Sequence, residues 1–196
     1  MKVVKENNIY KIPTETIKLD YSPNPVLIND VGVITSQAGG NGWVIYDKSA
    51  NYSEVFLMLN YDPNSAYPRW QNGAPNAYAF LKTPQKGILT RLHTTQWCDE
   101  YITGRICNHW KITGYETEAE MLALTNGTVL VDDTWVTVNK GEVRISNINN
   151  DKPFQYYTIH MVSNFAGGSY CSMGITKFYM RLPNKSSKTV YKAIIS

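Results

Sequence analysis

Three segments in the later part of this 196-residue chain alternate apolar and polar side chains with a period of two: residues 109–115, 154–162 and 175–181. They are rich in β-branched and aromatic residues, which fit a pleated, half-buried surface. Alternation of this kind is the pattern of a strand that buries one face. The three segments therefore predict an all-β fold in which antiparallel strands form a β-sandwich.

Charge and hydropathy exclude several classes of partner. Charged residues make up 18% of the chain and the formal net charge is +3, with no run of Lys or Arg, so a nucleic-acid partner is not expected. The longest apolar run, residues 55–59, is too short to insert into a membrane. Residues 1–8 lack the apolar stretch of a secretion signal, which predicts synthesis in the cytosol. Three cysteines cannot all pair, which favours free thiols, although Cys98 and Cys107 could bridge a loop.

Prolines and glycines divide the chain into an arm, a body and a tail. Residues 1–25 are expected to form an N-terminal arm, since two short alternating runs are separated by Pro13 and closed by Pro23 and Pro25. Such an arm could add an edge strand to the sandwich or dock on another subunit. Residues 26–183 are expected to form the sandwich domain, and residues 184–196 a solvated tail.

Within the body, the pattern predicts strands, one helix and several loops. Strands are expected at residues 31–35, 43–46, 77–81, 88–93, 110–115, 135–138 and 143–146, and in the last two alternating segments, with a turn at residues 83–87. Residues 117–124 predict a short helix that Thr117 caps, with Glu120 completing a capping box. Residues 52–60 fit a single helical turn or a buried run. Long loops are expected at residues 61–75, 94–108 and 163–169.

From about residue 34 to residue 181 the order of segments resembles the discoidin domain, also called the coagulation-factor C-terminal type domain. The segment Trp-Lys-Ile-Thr-Gly at 110–114 is similar to a family strand of the type Trp-Lys-Leu-x-Gly. Asp-Thr-Trp-Val at 133–136 is similar to a short element of the type Trp-x-x-Leu. Residues 154–159 and 175–179 resemble the family strands Tyr-Arg-Tyr-Tyr-Arg-Ile and Ile-x-Glu-Phe-Tyr. The resemblance implies an eight-stranded, galactose-binding-like jelly roll that binds glycans, lipids or proteins through loops at one end.

The chain departs from the family at two places. The family often holds a structural calcium with an acidic side chain of the last strand, where this chain has Ile175 and Lys177. No cofactor is therefore predicted, and the calcium site is left in doubt. The family's flanking disulfide is also absent, because the three cysteines do not bracket the domain.

The loops that the family uses carry residues suited to a sugar. A sugar site needs a flat aromatic face for the pyranose C–H groups and planar polar groups for the hydroxyls. The candidates are Tyr67, Arg69, Trp70, Trp97, Asp99, Arg105, His109 and Asn164. Four of them have a structural alternative: Trp70 and Trp97 as core that plugs the sandwich end, Arg105 in a salt bridge with Asp99 or Glu100, and His109 as a structural histidine.

The sequence does not indicate an enzyme. The three histidines, at positions 93, 109 and 160, have no metal-ligand spacing. Two carboxylates facing each other, as glycosidases require, are not offered by adjacent pairs such as Asp132 and Asp133, which would point to opposite faces of a strand.

The expected function is a non-enzymatic virion surface protein, such as a phage tail, fibre or capsid decoration protein, whose carbohydrate-binding module adheres to a host-cell glycan. It would be assembled in the host cytoplasm and belong to an oligomeric or larger assembly. One alternative is a structural assembly protein that binds neighbouring virion subunits and no glycan. Others are a lectin, either cytosolic or exported without a leader, and the binding module of a secreted enzyme. Fold alone does not decide among them.

Overall fold

A computed structural model of the chain describes residues 4–6, 9–11, 20–30, 34, 39–47, 55, 58–59, 69–73, 75–96, 103–137, 139, 141–167, 170–174 and 177–184. Its strands are β1 (Val4–Glu6), β2 (Ile9–Lys11), β3 (Val26–Leu27), β4 (Gly39–Gly40), β5 (Trp43–Asp47), β6 (Arg69–Asn72), β7 (Ala77–Thr95), β8 (Cys107–Tyr115), β9 (Thr128–Thr134), β10 (Val143–Asn147), β11 (Phe154–Asn164), β12 (Cys171–Gly174) and β13 (Lys177–Arg181). The helix α1 spans Glu118–Ala123, and a 3₁₀ turn spans Thr103–Arg105.

The strands form an antiparallel sandwich, as the sequence predicts. The first layer has the order β4-β5-β7-β11-β8-β9, and the second has the order β10-β7-β13-β3. Strand β7 belongs to both layers: its first half pairs with β5 and β11, and its second half pairs with β10 and β13. Strands β6 and β12 form a separate pair, and β1 pairs with β2.

The core lies between the two layers and is built by alternation. In β8, Trp110 and Ile112 are fully buried, whereas Lys111 between them is partly exposed. Aromatic rings join the layers: the ring of Phe178 in β13 lies 6.3 Å from the ring of Trp43 in β5 and 6.3 Å from that of Tyr157 in β11. Burial of these large side chains from both layers is the main source of the sandwich's stability.

The turn predicted at residues 83–87 is wrong, because the chain continues as one 19-residue strand, β7. This stretch is where β7 passes from the first layer to the second, with Pro84 and Gln85 exposed. The hydroxyl of Thr83 bonds to the carbonyl oxygens of Gln85, at 2.9 Å, and Gln155, at 3.2 Å. Pro84 has no N–H to pair, so it is tolerated at such a bend. The Pro and Gly pattern therefore marks a corner of the sandwich and not a reversal of the chain.

Three further local predictions are corrected. The strand expected at residues 135–138 is wrong over residues 135–137, because β9 ends at Thr134. Trp135 is buried just beyond it, and its backbone N–H bonds to the carbonyl of Asn108 at 2.6 Å. The loop expected at residues 61–75 contains strand β6, and the loop expected at residues 163–169 begins within β11, which ends at Asn164. Strand β12, for which no strand was expected, follows that loop and pairs with β6. All four residues of β12 are buried, so its sequence has no alternation of apolar and polar residues that would have predicted a strand.

The short helix is confirmed with its capping box. The hydroxyl of Thr117 accepts a hydrogen bond from the backbone N–H of Glu120 at 3.2 Å, and the Glu120 carboxylate accepts one from the backbone N–H of Thr117 at 3.1 Å. Met121 of the helix packs on Phe80 and Tyr115. This small cluster covers part of the outer face of the first layer.

Other predictions are confirmed where the structure describes them. The strands expected at 43–46, 77–81, 88–93, 110–115, 143–146 and 154–162 lie within β5, β7, β8, β10 and β11, and residues 177–181 form β13. Val55, Met58 and Leu59 of the run 52–60 are helical and buried. Of the strand expected at 31–35, only Ile34 lies within the described residues, where it is buried. The tail beyond Asn184 lies outside them.

Residues 20–22, at the end of the predicted arm, lie beside residues 182–184, which follow β13. The N–H of Ser22 bonds to the carbonyl of Leu182 at 2.9 Å, and the N–H of Asn184 bonds to the carbonyl of Asp20 at 2.8 Å. Cys107 and Cys171 are free and buried, as favoured from the odd cysteine count, whereas Cys98 lies outside the described residues. None of the described helices has the length and apolar character needed to cross a membrane.

Candidate functional site

The antiparallel topology brings the described parts of the three predicted loops that adjoin β7, β8 and β11 to the same end of the sandwich. Residue Ala77 at the start of β7 pairs with Met161 near the end of β11, and Asn164 at the end of β11 pairs with Cys107 at the start of β8. The segments before β7, before β8 and after β11 therefore meet at one end of the first layer, here called the loop end.

Backbone contacts fasten two of these loops together. The N–H of Ala166 bonds to the carbonyl of Gly104 at 3.0 Å, and the N–H of Phe165 bonds to the carbonyl of Ile106 at 3.2 Å. The loops approach so closely that a Cβ on Gly104 would lie 2.6 Å from the Cβ of Ala166. Ile106 also forms a β-bridge with Ser172. Because backbone groups hold them, these loops form a platform whose shape does not depend on the exposed side chains.

An arginine and a tyrosine meet on this platform. The guanidinium carbon of Arg105 lies 4.2 Å from the centre of the Tyr170 ring, and 40% of the Tyr170 surface is exposed. The side-chain amide of Asn164 donates to the carbonyl of Tyr170, and the hydroxyl of Ser172 donates to the carbonyl of Arg105 at 3.2 Å. The arrangement presents a partly exposed aromatic ring beside a planar group with several N–H donors, which suits a ligand with apolar and hydroxyl faces.

The structure brings some of the predicted site residues together and separates others. Arg105 and Asn164 lie on the platform, where Asn164 is itself largely buried. Trp70 is fully buried in the core, so its ring offers no face to a ligand, and the core alternative fits it. Three of the predicted site residues lie outside the described residues: Tyr67, Trp97 and Asp99. The side chain of Arg69 also lies outside them. The alternative salt bridge of Arg105 with Asp99 or Glu100 also falls outside the described residues.

His109 lies with a different set of charges. Its Nε2 atom is 2.7 Å from Oδ1 of Asp132, whose Oδ2 accepts from Lys111 at 2.8 Å. Hydrogen bonds from Lys111 and then from His109 lower the pKa of Asp132 below its ordinary value. This triad lies on the outer face of the first layer, opposite the core. The structural alternative therefore describes His109 better than a role beside Arg105.

Sequence reasoning missed Tyr170 as a site residue. It follows the loop 163–169 that was singled out, and an aromatic residue next to a Gly-Gly-Ser stretch was the available signal. The described residues contain no group of three or more His, Cys, Asp or Glu side chains that could hold a metal ion. Burial raises the pKa of the Cys107 thiol well above its usual value, so this thiol stays protonated and unreactive at neutral pH.

His160 gives the chain a predicted pH dependence. Its ring stacks on Tyr78 with 3.9 Å between centres, and its Nε2 lies 2.7 Å from Oδ1 of Asn76. Partial burial, helped by the charges of Lys111 and His109 and opposed by Asp132, lowers the pKa of His160 to about 4. In the unfolded chain the imidazole of His160 is therefore protonated below about pH 6.5, whereas in the folded chain it is protonated only below about pH 4.

The free energy of unfolding should accordingly fall as the pH falls from 6.5 to 4, with this residue contributing less than about 1.4 kcal/mol per pH unit because solvent screens a half-buried group. Urea unfolding at several pH values would measure it. His160→Phe keeps a ring against Tyr78 but cannot titrate, so its profile should be flatter over this range. Parallel profiles for the two proteins would contradict the prediction.

Comparisons with known proteins identify the fold. The sequence matches no protein-family model and no curated protein. Many solved structures match the fold of the chain, among them the three that follow. A family 32 CBM (carbohydrate-binding module) of C. perfringens NanJ, in complex with galactose, has a TM-score of 0.55 at 10% identity, covering 79% of this chain and 98% of that one.

CpGH89CBM32-5 from Clostridium perfringens, in complex with GalNAc-β-1,3-galactose, has a TM-score of 0.53 at 9% identity, covering 78% and 99% of the two chains. An F5/8 type C domain of a Bacteroides fragilis protein has a TM-score of 0.55 at 11% identity, covering 82% and 99%. The resemblance to the discoidin type of domain is thus confirmed for the fold.

Proposed function

We propose that the chain is a non-catalytic carbohydrate-binding module that binds glycans through the loop end, with Arg105 and Tyr170 as its principal contacts. The observation that carries the proposal is the pairing of these two side chains, 4.2 Å apart, on loops fastened by backbone hydrogen bonds. The exposed part of the Tyr170 ring would pack on the C–H face of a pyranose. The Arg105 guanidinium would donate to its hydroxyls.

Galactose-containing glycans are the ligand class we favour. Two of the structural neighbours hold galactose or GalNAc-β-1,3-galactose. Both share only the fold with this chain, so the ligand class is supported by analogy. The chemistry of the loop end is compatible with it, because an aromatic ring recognises the apolar face of galactose and planar donors recognise vicinal hydroxyls.

A glycan array followed by calorimetry tests the proposal. The protein should bind galactose-terminated glycans, and Arg105→Ala or Tyr170→Ala should each weaken binding about tenfold or more, the loss of a contact worth about 1.4 kcal/mol. The chain provides a matched control, since Arg91 lies 4.0 Å from the ring of Tyr179 on the outer face of the second layer. Arg91→Ala and Tyr179→Ala remove the same kind of pair and should leave binding unchanged.

Absence of binding to every glycan on the array would contradict the proposal. So would equal losses from the two pairs, because the effect would then come from reduced folding. Display on a virion, as part of a phage tail, fibre or capsid, stays a prediction of the sequence. Immunogold labelling of particles with an antibody against the chain would test that placement.

A further inference from the structure

A groove lies on the outer face of the first layer, and neither Arg105 nor Tyr170 lines it. It has a volume of about 340 Å³, at the lower end of the range for small-molecule sites. Its lining includes Tyr78, Lys111, Thr113, Leu124, Val129 and His160. They come from β7, β8, β9, β11 and the end of α1.

One wall of the groove is formed by the connection between α1 and β9. Leu124, at the end of the helix, has a left-handed backbone with φ of 55°. Gly127 lies directly on β8, because a Cβ there would collide with the methyl of Thr113 and lie 2.6 Å from the Tyr115 ring. Only a residue without a side chain allows this close approach. Across the groove, the stacked rings of Tyr78 and His160 form the opposite wall.

The groove carries no net charge at neutral pH. Lys111 is paired with Asp132 at 2.8 Å. Burial keeps the pKa of His160 near 4, so its imidazole is neutral. A free anion or cation would therefore gain little from this surface.

Polar and apolar groups both line the groove. Among the residues that the structure describes, the hydroxyls of Tyr78 and Thr113 make no hydrogen bond, so both have donor and acceptor capacity to offer. Beside them, Leu124 and Val129 are 37% and 55% exposed. An uncharged ligand that carries hydroxyls on its edge and C–H groups on its face would satisfy both kinds of group.

We propose that this groove is a second binding site that takes a neutral pyranose, of the size of a mono- or disaccharide. It is built from residues of the sheet face and of the connection between α1 and β9, and does not depend on the site proposed at the loop end. A second site on the same module would allow two points of one glycan to be held together, which raises the overall affinity without a new contact.

The test follows backbone amide resonances of the ¹⁵N-labelled full chain during titration with methyl β-galactoside, methyl α-mannoside or lactose. We expect saturable shifts at Thr113, Val129 and His160 with at least one sugar. Val129→Glu should abolish them by placing a charge in the groove. Val143→Glu is the matched control, because this valine is also 55% exposed on a strand but lies on β10.

The Arg105→Ala variant separates this inference from the proposed function. Groove shifts should persist in it with unchanged affinity, whereas shifts at Phe165 and Tyr170 should weaken. If none of the three sugars shifts the groove amides, or if Val129→Glu leaves those shifts intact, the second site is overturned. Shifts caused by sodium sulfate in place of the sugars would also overturn it, because they would reveal an anion site.

Discussion

Replacing Trp70 with alanine should lower the free energy of unfolding by about 3–5 kcal/mol, the usual cost of deleting a large buried aromatic side chain. Trp70 is fully buried, in strand β6, where it pairs with Met173 of β12. Removing the indole would leave a cavity beneath the loop end that this short strand pair cannot close. For a domain of this size the melting temperature should drop by roughly 6–20 °C, which calorimetry would measure, and urea unfolding would measure the loss of free energy.

Tyr170→Ala is the matched variant, because it should affect binding where Trp70→Ala affects stability. Tyr170 lies one residue before β12 and is 40% exposed, so its removal should cost less than about 1 kcal/mol of stability. We expect it to weaken glycan binding, as argued for the loop end. Trp70→Ala, assayed well below its melting temperature, should bind through the intact pair of Arg105 and Tyr170. A stable Trp70→Ala protein that has lost binding would instead place the indole in the ligand site.

Trp70 and Tyr170 show which features of the fold and the site the sequence could predict and which it could not. Strands β8 and β13 alternate buried and partly exposed residues, so their pattern predicted the sandwich. Antiparallel pairing then placed the three long loops at one end, which is why the site region could be predicted. The inward or outward direction of Trp70 and Tyr170 depends on the pairing of β6 with β12. That pairing has no periodic signal because β12 is buried throughout.

The outer face of the first layer was harder still to predict. Alternation shows that His109, Lys111 and Thr113 face away from the core, and predicts nothing about their neighbours. Those neighbours come from distant segments: Asp132 from β9, and Tyr78 and His160 from β7 and β11. Contacts between residues tens of positions apart in the sequence leave no local pattern from which they could be predicted. The groove and the His109–Asp132 contact therefore could not be predicted from the sequence.

Replacing Asn29, a polar residue of the described core, should lower the free energy of unfolding strongly. It is fully buried next to β3. Its Oδ1 accepts from the backbone N–H of Phe178 at 2.8 Å, and its Nδ2 donates to the carbonyl of Leu59 at 3.0 Å. One side chain thus satisfies backbone groups of two segments distant in sequence. Burial would make either group costly if it lost its partner, since water cannot replace the bond.

Asn29→Ala is accordingly expected to cost about 2–4 kcal/mol, from two buried groups that each lose a bond worth about 1–2 kcal/mol when left unpaired. Asn29→Asp should also destabilise, because it exchanges the Nδ2 donor for an oxygen that faces the Leu59 carbonyl and brings a charge into the core. Asn147→Ala, at an exposed position of β10, is the matched control and should change stability by less than about 0.5 kcal/mol. Urea unfolding of the three variants decides the point. Equal stability of Asn29→Ala and Asn147→Ala would show that the two backbone groups find other partners, and that this side chain is not what connects β13 to the Leu59 segment.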